Sequence, residues 1–346
     1  MASHQLDATP ETCFWGFFDQ ALAPALTVDP GDVVDVRALT HHAGDAPDLM
    51  MDDGVKAVWA SVPEGDRGPG VHIMTGPVAV RGAVAGGVVS VRIESTSARL
   101  PYGSTASAHW GALHERFGEE WVTIWRIDDT GPGEAVVRPA FSYDFTTRPL
   151  YDLPGVITEP DPAARTPWPV PVTVPVRPHF GVLGVAPAEP GRISSVPPGS
   201  HGGNIDNWRL GAGATLHLPV FVDGALLYVG DPHASQGDGE VCGTAVESSM
   251  DARLVLDLPT DLPGEVVDAP ILETATHWFT HGFDPDLDVA MAQSVERMLV
   301  LLEHRYGLPP KLGYALLSVG GDVGVTQVVD GNKGCHTGVA KAIFAA

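Results

Sequence analysis

The sequence predicts a mainly β protein, with a β-sandwich or jelly-roll-like fold and appended α/β elements near the C-terminus. Its 40 glycines and 31 prolines make up about a fifth of 346 residues, which is typical of many short strands joined by turns. They are scattered without a period, which excludes collagen-like and low-complexity chains. Hydrophobic residues make up 44% of the chain, so a sizeable core can form and global disorder is excluded.

In the first half of the chain, short runs of β-branched residues follow turns rich in glycine and proline. These runs predict strands at 33–36, 78–80, 88–93, 121–127 and 138–141. Residues 128–133 are predicted to form a turn. The proline-dense residues 160–171 are predicted to form an extended connector.

The second half returns to strands and then changes to helices. The predicted strands are 172–176, 180–185, 215–221, 225–229, 252–258 and 323–329. A helix is predicted to begin at Asp284-Pro285 and to run to about Tyr306, with Gly307 as its stop. A shorter helix is predicted to run from Pro309-Pro310 to about Ser318. Hydrophobic residues at i+3/i+4 spacing form the predicted buried stripe of the first helix: Leu287, Met291, Met298, Leu301 and Leu302.

The length exceeds that of one average domain. We expect an N-terminal mainly β region, 1–168, and a second region, 169–346, that carries the candidate active site and the C-terminal helices. The two regions can also form one interlocked domain.

The charge balance excludes several classes of function. Acidic residues outnumber basic ones 43 to 20, which gives a net charge of −23. Because nucleic acids and anionic membranes are bound by basic surfaces, neither partner is expected.

Three widely separated cysteines predict no disulfide framework and favour a reducing cytoplasm. The first residues lack a signal-peptide pattern, and no apolar run is long enough for a transmembrane helix.

The densest polar residues lie in two segments that the sequence predicts to be glycine-rich loops, 201–206 (HGGNID) and 230–243 (GDPHASQGDGEVCG). Asp231 and His233 are two residues apart, so on an extended backbone they point to the same face. Asp238 and Glu240 repeat that spacing. Carboxylates held close together repel unless one is protonated or a cation lies among them, and imidazole with carboxylates suits Zn²⁺ or a similar ion. The alternative is an acidic turn whose carboxylates are solvated.

Other residues are weaker candidates. Cys242 follows Glu240 by two residues, so one hypothesis is a Cys–Glu pair for covalent amide hydrolysis, and the alternative is a small buried residue. His72 is a second candidate histidine, for which a hydrogen-bonded structural role is the alternative, and His201 opens the first segment. The weakest candidates are the pairs His41-His42 and His277/His281.

Several strings of residues resemble the acetamidase/formamidase family. The strings at 201–206 and 230–240 are specific when they occur together. Shorter matching strings are 75–77, 176–187, 218–221, 326–330 and 341–344. The resemblance implies a β-sandwich-like fold with appended α/β elements, and hydrolysis of a small aliphatic amide to a carboxylate and ammonia. Residues 96–168 show little that matches, and loops of this kind usually shape the substrate pocket.

The first hypothesis is therefore a metal-assisted amidohydrolase that acts on a small neutral amide such as formamide or acetamide. Asp206 and His233 would hold a divalent cation, expected to be Zn²⁺, with Asp231 or Asp238 as a further ligand.

The catalytic roles in this hypothesis fall on residues of the same two segments. Glu240 would take the proton of the attacking water and pass it to the leaving nitrogen, with Asp238 as the alternative base. Asn204, or the backbone amides of Gly202 and Gly203, would donate hydrogen bonds to the developing oxyanion.

Two other hypotheses remain open at this point. One is a metal-free amidase that uses Cys242 and Glu240, and the other is a non-enzymatic β-sandwich module that binds a small polar ligand or Ca²⁺. We also expect the protein to be a homo-oligomer.

Overall fold

A computed structural model of the chain describes residues 1–128, 135–145 and 165–344. The chain is mainly β, as the sequence predicts. Residues 129–133 of the predicted turn and 160–164 of the predicted connector lie outside the described residues. No helix within the described ranges is both long and apolar enough to cross a lipid bilayer.

The strands of the described chain are numbered in chain order. The first eleven are β1 (Ser3–Leu6), β2 (Cys13–Trp15), β3 (Phe17–Phe18), β4 (Leu26–Val28), β5 (Asp32–Ala38), β6 (Ile73–Val80), β7 (Val88–Ala98), β8 (Tyr102–Ser107), β9 (Trp121–Asp128), β10 (Val136–Asp144) and β11 (Val174–Pro175). The others are β12 (His179–Val185), β13 (Ile193–Ser194), β14 (Gly202–Asn204), β15 (Thr215–Pro219), β16 (Leu227–Ser235), β17 (Val246–Glu247), β18 (Met250–Asp257), β19 (Ile271–Glu273), β20 (His277–Asp284), β21 (Gly321–Gln327) and β22 (Lys333–Ala340).

Four α-helices accompany the strands. They are α1 (Pro47–Met50), α2 (Asp53–Ser61), α3 (Leu287–Tyr306) and α4 (Pro310–Gly320). Helix α3 begins where the Asp286 carboxylate accepts hydrogen bonds from the amides of Asp288 and Val289. It ends at Gly307, whose φ of 65° is the left-handed conformation that glycine adopts readily. The predicted stop at Gly307 is thus confirmed.

Two large sheets build the molecule. The first has the strand order β1-β5-β18-β7-β15-β19-β20-β22-β21. The second has the order β11-β10-β9-β8-β17-β16-β12-β14, and β6 pairs with β16 beside it. Strands from before and after residue 168 pair within both sheets, because β18 lies between β5 and β7 and β16 pairs with β6.

The main hydrophobic core lies between these sheets. It joins apolar side chains of β5, β7, β15 and β18 to those of β6, β12 and β16, including Val34, Val91, Leu216, Phe180 and Leu227. Strand β16 also contributes Tyr228 to a second cluster with Phe18, Met74 and Val182. Because apolar clusters cover both of its faces, β16 is buried along its whole length, and so are the polar side chains it carries.

The second of the two predicted loops is the main correction to the predicted fold. Residues 230–235 continue strand β16 instead of leaving the sheet, and β16 begins at Leu227 rather than at Ala225. Strands β12, β6 and β17 pair with this stretch and provide hydrogen-bond partners for its backbone. Its glycine and acidic residues had led to the prediction of a loop.

Two predictions near the C-terminus also need correction. Met291 was predicted to be buried, but 41% of its surface is exposed, and Ala290 and Ser294 face the core instead. A Cβ on Gly282 would lie 2.0 Å from the carbonyl oxygen of Ala290, so helix and strand approach too closely for larger residues. The predicted closing strand, 323–329, is observed as β21 but is followed by β22.

Candidate active site and metal-binding cluster

The site is built around Asp231 and His233 on strand β16. Their i, i+2 spacing brings the side chains together, and His233 Nε2 lies 3.0 Å from Asp231 Oδ2. Asp231 has a φ of 47°, an unusual backbone conformation for a residue with a side chain. Glu247, on the neighbouring strand β17, is directly opposite His233, and its Oε2 lies 3.2 Å from His233 Nε2.

The other ring nitrogen of His233 faces two side chains that hold it in place. His233 Nδ1 lies 3.2 Å from His179 Nε2 and 3.2 Å from Gln236 Oε1. The Gln236 side-chain amide donates to the backbone carbonyl of Asp206 at 2.7 Å. Gln236 therefore ties strand β16 to the segment that carries Asp206, and leaves His233 Nε2 turned toward the carboxylates.

Asp206 enters the cluster beside Gly181. A Cβ on Gly181 would lie 2.5 Å from Asp231 Oδ2, 2.6 Å from Asp206 Oδ1 and 2.7 Å from His233 Cε1. The three side chains thus converge on a point where strand β12 has no side chain. Asp206 also has a positive φ, 51°, and is fully buried.

Asp206 and Asp231 form part of the wall of a cavity of about 300 Å³, and His233 lies behind them. The polar lining of the cavity comes from segments far apart in the chain: His41, His42, His72, Asn204, Asp206, Asp231, Glu240, Thr244, Glu247 and Asp330. Glu240 is buried and has a φ of 44°. A cavity with convergent polar groups of this kind is the usual setting of an active site.

Two further histidines lie close to Asp231. His72 Nε2 lies 3.7 Å from Asp231 Oδ2, and His41 Nδ1 lies 3.6 Å from Asp231 Oδ1. The Ser195 hydroxyl lies 2.9 Å from His72 Nδ1 and orients the ring, so Nε2 is the nitrogen that faces the cluster. Burial, followed by the nearby imidazoles, lowers the pKa of His41 well below its usual range.

The acidic side chains do not share one protonation state. Burial opposes ionisation of Asp231, but His72 and His233 hold the pKa of its carboxyl well below the usual range. Burial likewise opposes the charge on His233, but Glu247 and Asp231 raise its pKa well above the usual range. Burial and the charge of Asp231 raise the pKa of Asp206 to about 7.

Glu240 is shifted in the same direction as Asp206. Burial and the neighbouring Asp206 raise the pKa of Glu240 well above its usual range. Asp231 and His233 are therefore the charged pair, whereas burial favours the protonated carboxyls of Asp206 and Glu240.

The cluster has the donor atoms that a divalent cation needs. Three groups offer one donor atom per residue within 4.8 Å of one another: Asp206, His233 and Glu240; Asp231, His233 and Glu247; and His41, His72 and Asp231. Among the described residues, Asp231 Oδ1 accepts no hydrogen bond, and the Asp206 carboxyl is hydrogen-bonded to another carboxyl, that of Asp330, rather than to a basic group. Buried carboxylate oxygens without donors are costly, and a cation would remove that cost.

Several predicted site residues come together here, and others do not. His233, Asp231, Asp206, Glu240, Asn204 and His72 all lie in the cluster or in the cavity wall. Asp238 points away from them, because both of its carboxylate oxygens bind the guanidinium of Arg209, at 2.9 and 3.0 Å. The backbone amide of Gly202 already donates to Gly199, which leaves Asn204 as the better-placed donor.

Cys242 and His201 lie outside this cavity. Cys242 lines a neighbouring surface pocket with Leu113 and Phe117, and its thiol is 3.5 Å from the carbonyl oxygen of Thr244. His201 packs edge-on against Phe18 and borders another pocket. Neither residue is brought to Glu240 by the fold.

Sequence reasoning missed Glu247 and Asp330 and gave little weight to His41 and His42. Asp330 ends one of the strings that resemble the family, which was the one available signal for it. Glu247 follows a Gly-Thr-Ala-Val run with no neighbouring histidine in the sequence, and only the pairing of β16 with β17 places it beside His233.

Two comparisons of the sequence with known proteins agree with each other. Residues 191–346 match the model of the Acetamidase/Formamidase family. A formamidase from Methylophilus methylotrophus is 29% identical over an alignment of 210 residues, and the match covers 50% of this chain and 48% of the relative. The chain thus spans about half the length of this relative.

Solved structures extend the likeness over the whole chain. A predicted acetamidase/formamidase from Thermoanaerobacter tengcongensis is similar with a TM-score of 0.76 and 26% identity, and the match covers 100% of this chain and 98% of the other. An acetamidase from Bacillus halodurans is similar with a TM-score of 0.74 and 26% identity over 99% of this chain and 98% of the other.

Proposed function

We propose that the chain is a member of the acetamidase/formamidase family and that it hydrolyses small aliphatic amides to a carboxylate and ammonia with the help of a divalent cation. The observation that carries the proposal is the buried group of carboxylates and imidazoles in the wall of a cavity of about 300 Å³, where the carboxyls of Asp206 and Asp330 meet and, among the described residues, Asp231 Oδ1 accepts no hydrogen bond. Such a set both holds a cation and moves protons, which are the two requirements of amide hydrolysis by water.

The proposed ligands remain Asp206, Asp231 and His233. Asp206 and His233 converge with Glu240, and Asp231 and His233 converge with Glu247, so Glu247 is a further ligand candidate. When bound, a divalent cation would polarise the amide carbonyl and make a bound water more acidic. Zn²⁺ remains the expected ion because the donors are imidazole and carboxylate.

The protein itself would supply the proton and the oxyanion contact. Glu240 is buried at the cavity wall, and its raised pKa makes its ionised form a stronger base. In that form it would take a proton from water and then deliver it to the amide nitrogen. The side chain of Asn204 is buried in the same wall, where its amide can donate to the oxyanion.

The proposal is tested by ammonia release from formamide and acetamide. We expect activity to be lost on treatment with a chelator and restored by Zn²⁺, because the ligands are preserved in the apo protein. A thiol alkylator should leave activity unchanged, since Cys242 lies in a different pocket from Glu240. Inhibition by the alkylator but not the chelator would favour the covalent Cys242 mechanism, and Ca²⁺ binding without turnover would favour the non-enzymatic module.

We also propose that the strands are layered as in a jelly roll and that regions 1–168 and 169–346 form one interlocked domain. We propose further that the protein is a homo-oligomer and that it is located in the cytoplasm.

A further inference from the structure

The cavity above the acidic cluster has two zones that differ in chemistry. The cluster itself is polar and buried. The rim is apolar and partly open: the exposed fractions of Val71 and Trp110 are 46% and 37%, and Val196 and Val329 are half-buried. A substrate that enters with its amide group first therefore keeps its other end against an apolar rim.

Trp110 is held in the rim by the segment that follows Glu240. Gly243 has a φ of 98°, and a Cβ there would lie 1.9 Å from Cδ1 of the indole, so the close approach depends on glycine. Two residues beyond Trp110, the amide of Ala112 donates to the carbonyl of Val241 at 2.8 Å. The indole wall is thus positioned relative to Glu240 before a substrate arrives.

The cavity also has more room than the smallest amides need. Its volume is about 300 Å³, whereas one water occupies about 30 Å³ in the liquid. Formamide and acetamide are each only a few times larger than water, so either would leave water against the valine and tryptophan side chains. Replacing that water by an apolar group is favourable.

The four apolar rim residues offer no partner to a charged chain. Among the described residues that line the cavity, none is lysine or arginine. Against the effect of burial, Asp45 raises the pKa of His42 to about 9, but Asp45 already pairs with that imidazole at 3.0 Å. A carboxylate at the end of an acyl chain would therefore be desolvated without compensation.

We propose that Val71, Trp110, Val196 and Val329 form a subsite for an apolar acyl chain, so that the preferred substrates are butyramide- or valeramide-like amides rather than formamide or acetamide. This inference rests on the proposed amide hydrolysis and adds the substrate class to it. Each methylene moved fully from water into such a subsite improves kcat/KM by about threefold to fourfold.

The test compares kcat/KM for formamide, acetamide, propionamide, butyramide and valeramide, using the full chain supplied with Zn²⁺. We expect kcat/KM to rise along the series, by about tenfold or more from acetamide to valeramide. Trp110→Ala should lower the valeramide-to-acetamide ratio by about tenfold. Val71→Thr keeps the shape of an exposed side chain and adds a hydroxyl, so it should lower the ratio without endangering the fold.

Leu113→Ala is the matched control, because Leu113 is an exposed apolar residue close to Trp110 that lines a different pocket. It should leave the ratio at the parental value. A fall in kcat/KM from acetamide to valeramide, or an unchanged ratio in both rim variants, would overturn the subsite. A chain that releases ammonia from none of the five amides would overturn the proposed hydrolysis instead, so the two failures can be told apart.

Discussion

At the residue scale, the site concentrates backbone conformations that side chains seldom adopt. In the described chain, five non-glycine residues have a positive φ, and three of them are Asp206, Asp231 and Glu240. Each such conformation costs about 1–3 kcal/mol and persists only where the surroundings impose it. Its repetition at three acids of one cavity indicates that the directions of these carboxylates matter more than local backbone stability.

The first prediction concerns Glu240. Glu240→Gln keeps the size of the side chain but removes its ability to carry a proton, so kcat should fall by about 10²–10⁴-fold. Metal content and melting temperature should change little, because Asp206, Asp231 and His233 remain. The measurements are kcat, metal content and melting temperature on the same variant. Loss of the metal with the activity would make Glu240 a ligand, and a near-parental kcat would refute its catalytic role.

The second prediction concerns Gly181, which has no side chain and therefore no catalytic group of its own. Gly181→Ala would press a methyl group against Asp206, Asp231 and His233, where the available distances are 2.5–2.7 Å. We expect kcat/KM to fall by about 100-fold, because a displacement of about 1 Å at a catalytic group has that effect. Titration of Zn²⁺ should show weaker binding.

Gly65→Ala is the matched control for this variant, since nothing lies within 4 Å of a Cβ at that position. It should behave like the parent. Parental activity in Gly181→Ala would mean that the cluster can spread without loss, and that its tight packing is not needed.

At the scale of elements, two kinds of packing hold helix α3 in place in the C-terminal part of the molecule. Helix α3 packs on β20 and β22 through small residues at its start, and Ser294 Oγ lies 2.8 Å from Thr337 Oγ1. Farther along, Met298 joins Leu301, Leu302 and Trp278 in a buried cluster. The helix is therefore fixed by close backbone contact at one end and by hydrophobic burial at the other.

The third prediction tests that burial. Met298 is completely buried, so Met298→Asp would place a charge in an apolar cluster and should destabilise the protein by about 3 kcal/mol or more. Urea unfolding and soluble yield measure the effect. Met291→Asp, at an exposed position of the same helix, should change stability by less than about 0.5 kcal/mol. Equal stability of the two variants would contradict the packing of α3.

At the scale of the whole molecule, the two large sheets supply the residues of the site, and the acidic net charge sets the kind of molecule that can approach it. Strands from both halves of the chain surround the cavity, which takes His41 and His72 from the first half and Asp206 and Asp330 from the second. The net charge of −23 surrounds this cavity with negative potential, which attracts cations and repels anions.

The fourth prediction follows from this charge. Succinamate carries a carboxylate at the end of its chain, and we expect its kcat/KM to be at least about 100-fold below that of uncharged valeramide. The difference should shrink when the salt concentration is raised, because salt screens the repulsive field. Both substrates are compared at low and high ionic strength. A preference for succinamate would show that a basic group reaches the substrate.

The sequence by itself determined the features that depend on neighbouring residues. Alternation predicted strands such as β7, β9 and β12, and the glycine after Tyr306 predicted the end of α3. The i, i+2 spacing predicted that Asp231 and His233 share a face, because that geometry belongs to the strand alone.

Only the tertiary structure decided which of the candidate groups meet. Asp238 has the same local spacing to Glu240 as Asp231 has to His233, yet Arg209 binds it outside the cavity. Glu247 reaches His233 because β17 pairs with β16, and Asp330 joins the cavity from a segment about a hundred residues away from Asp231. Local periodicity sets the direction of a side chain, but the order of strands in a sheet sets its neighbours, and that order depends on contacts between distant segments.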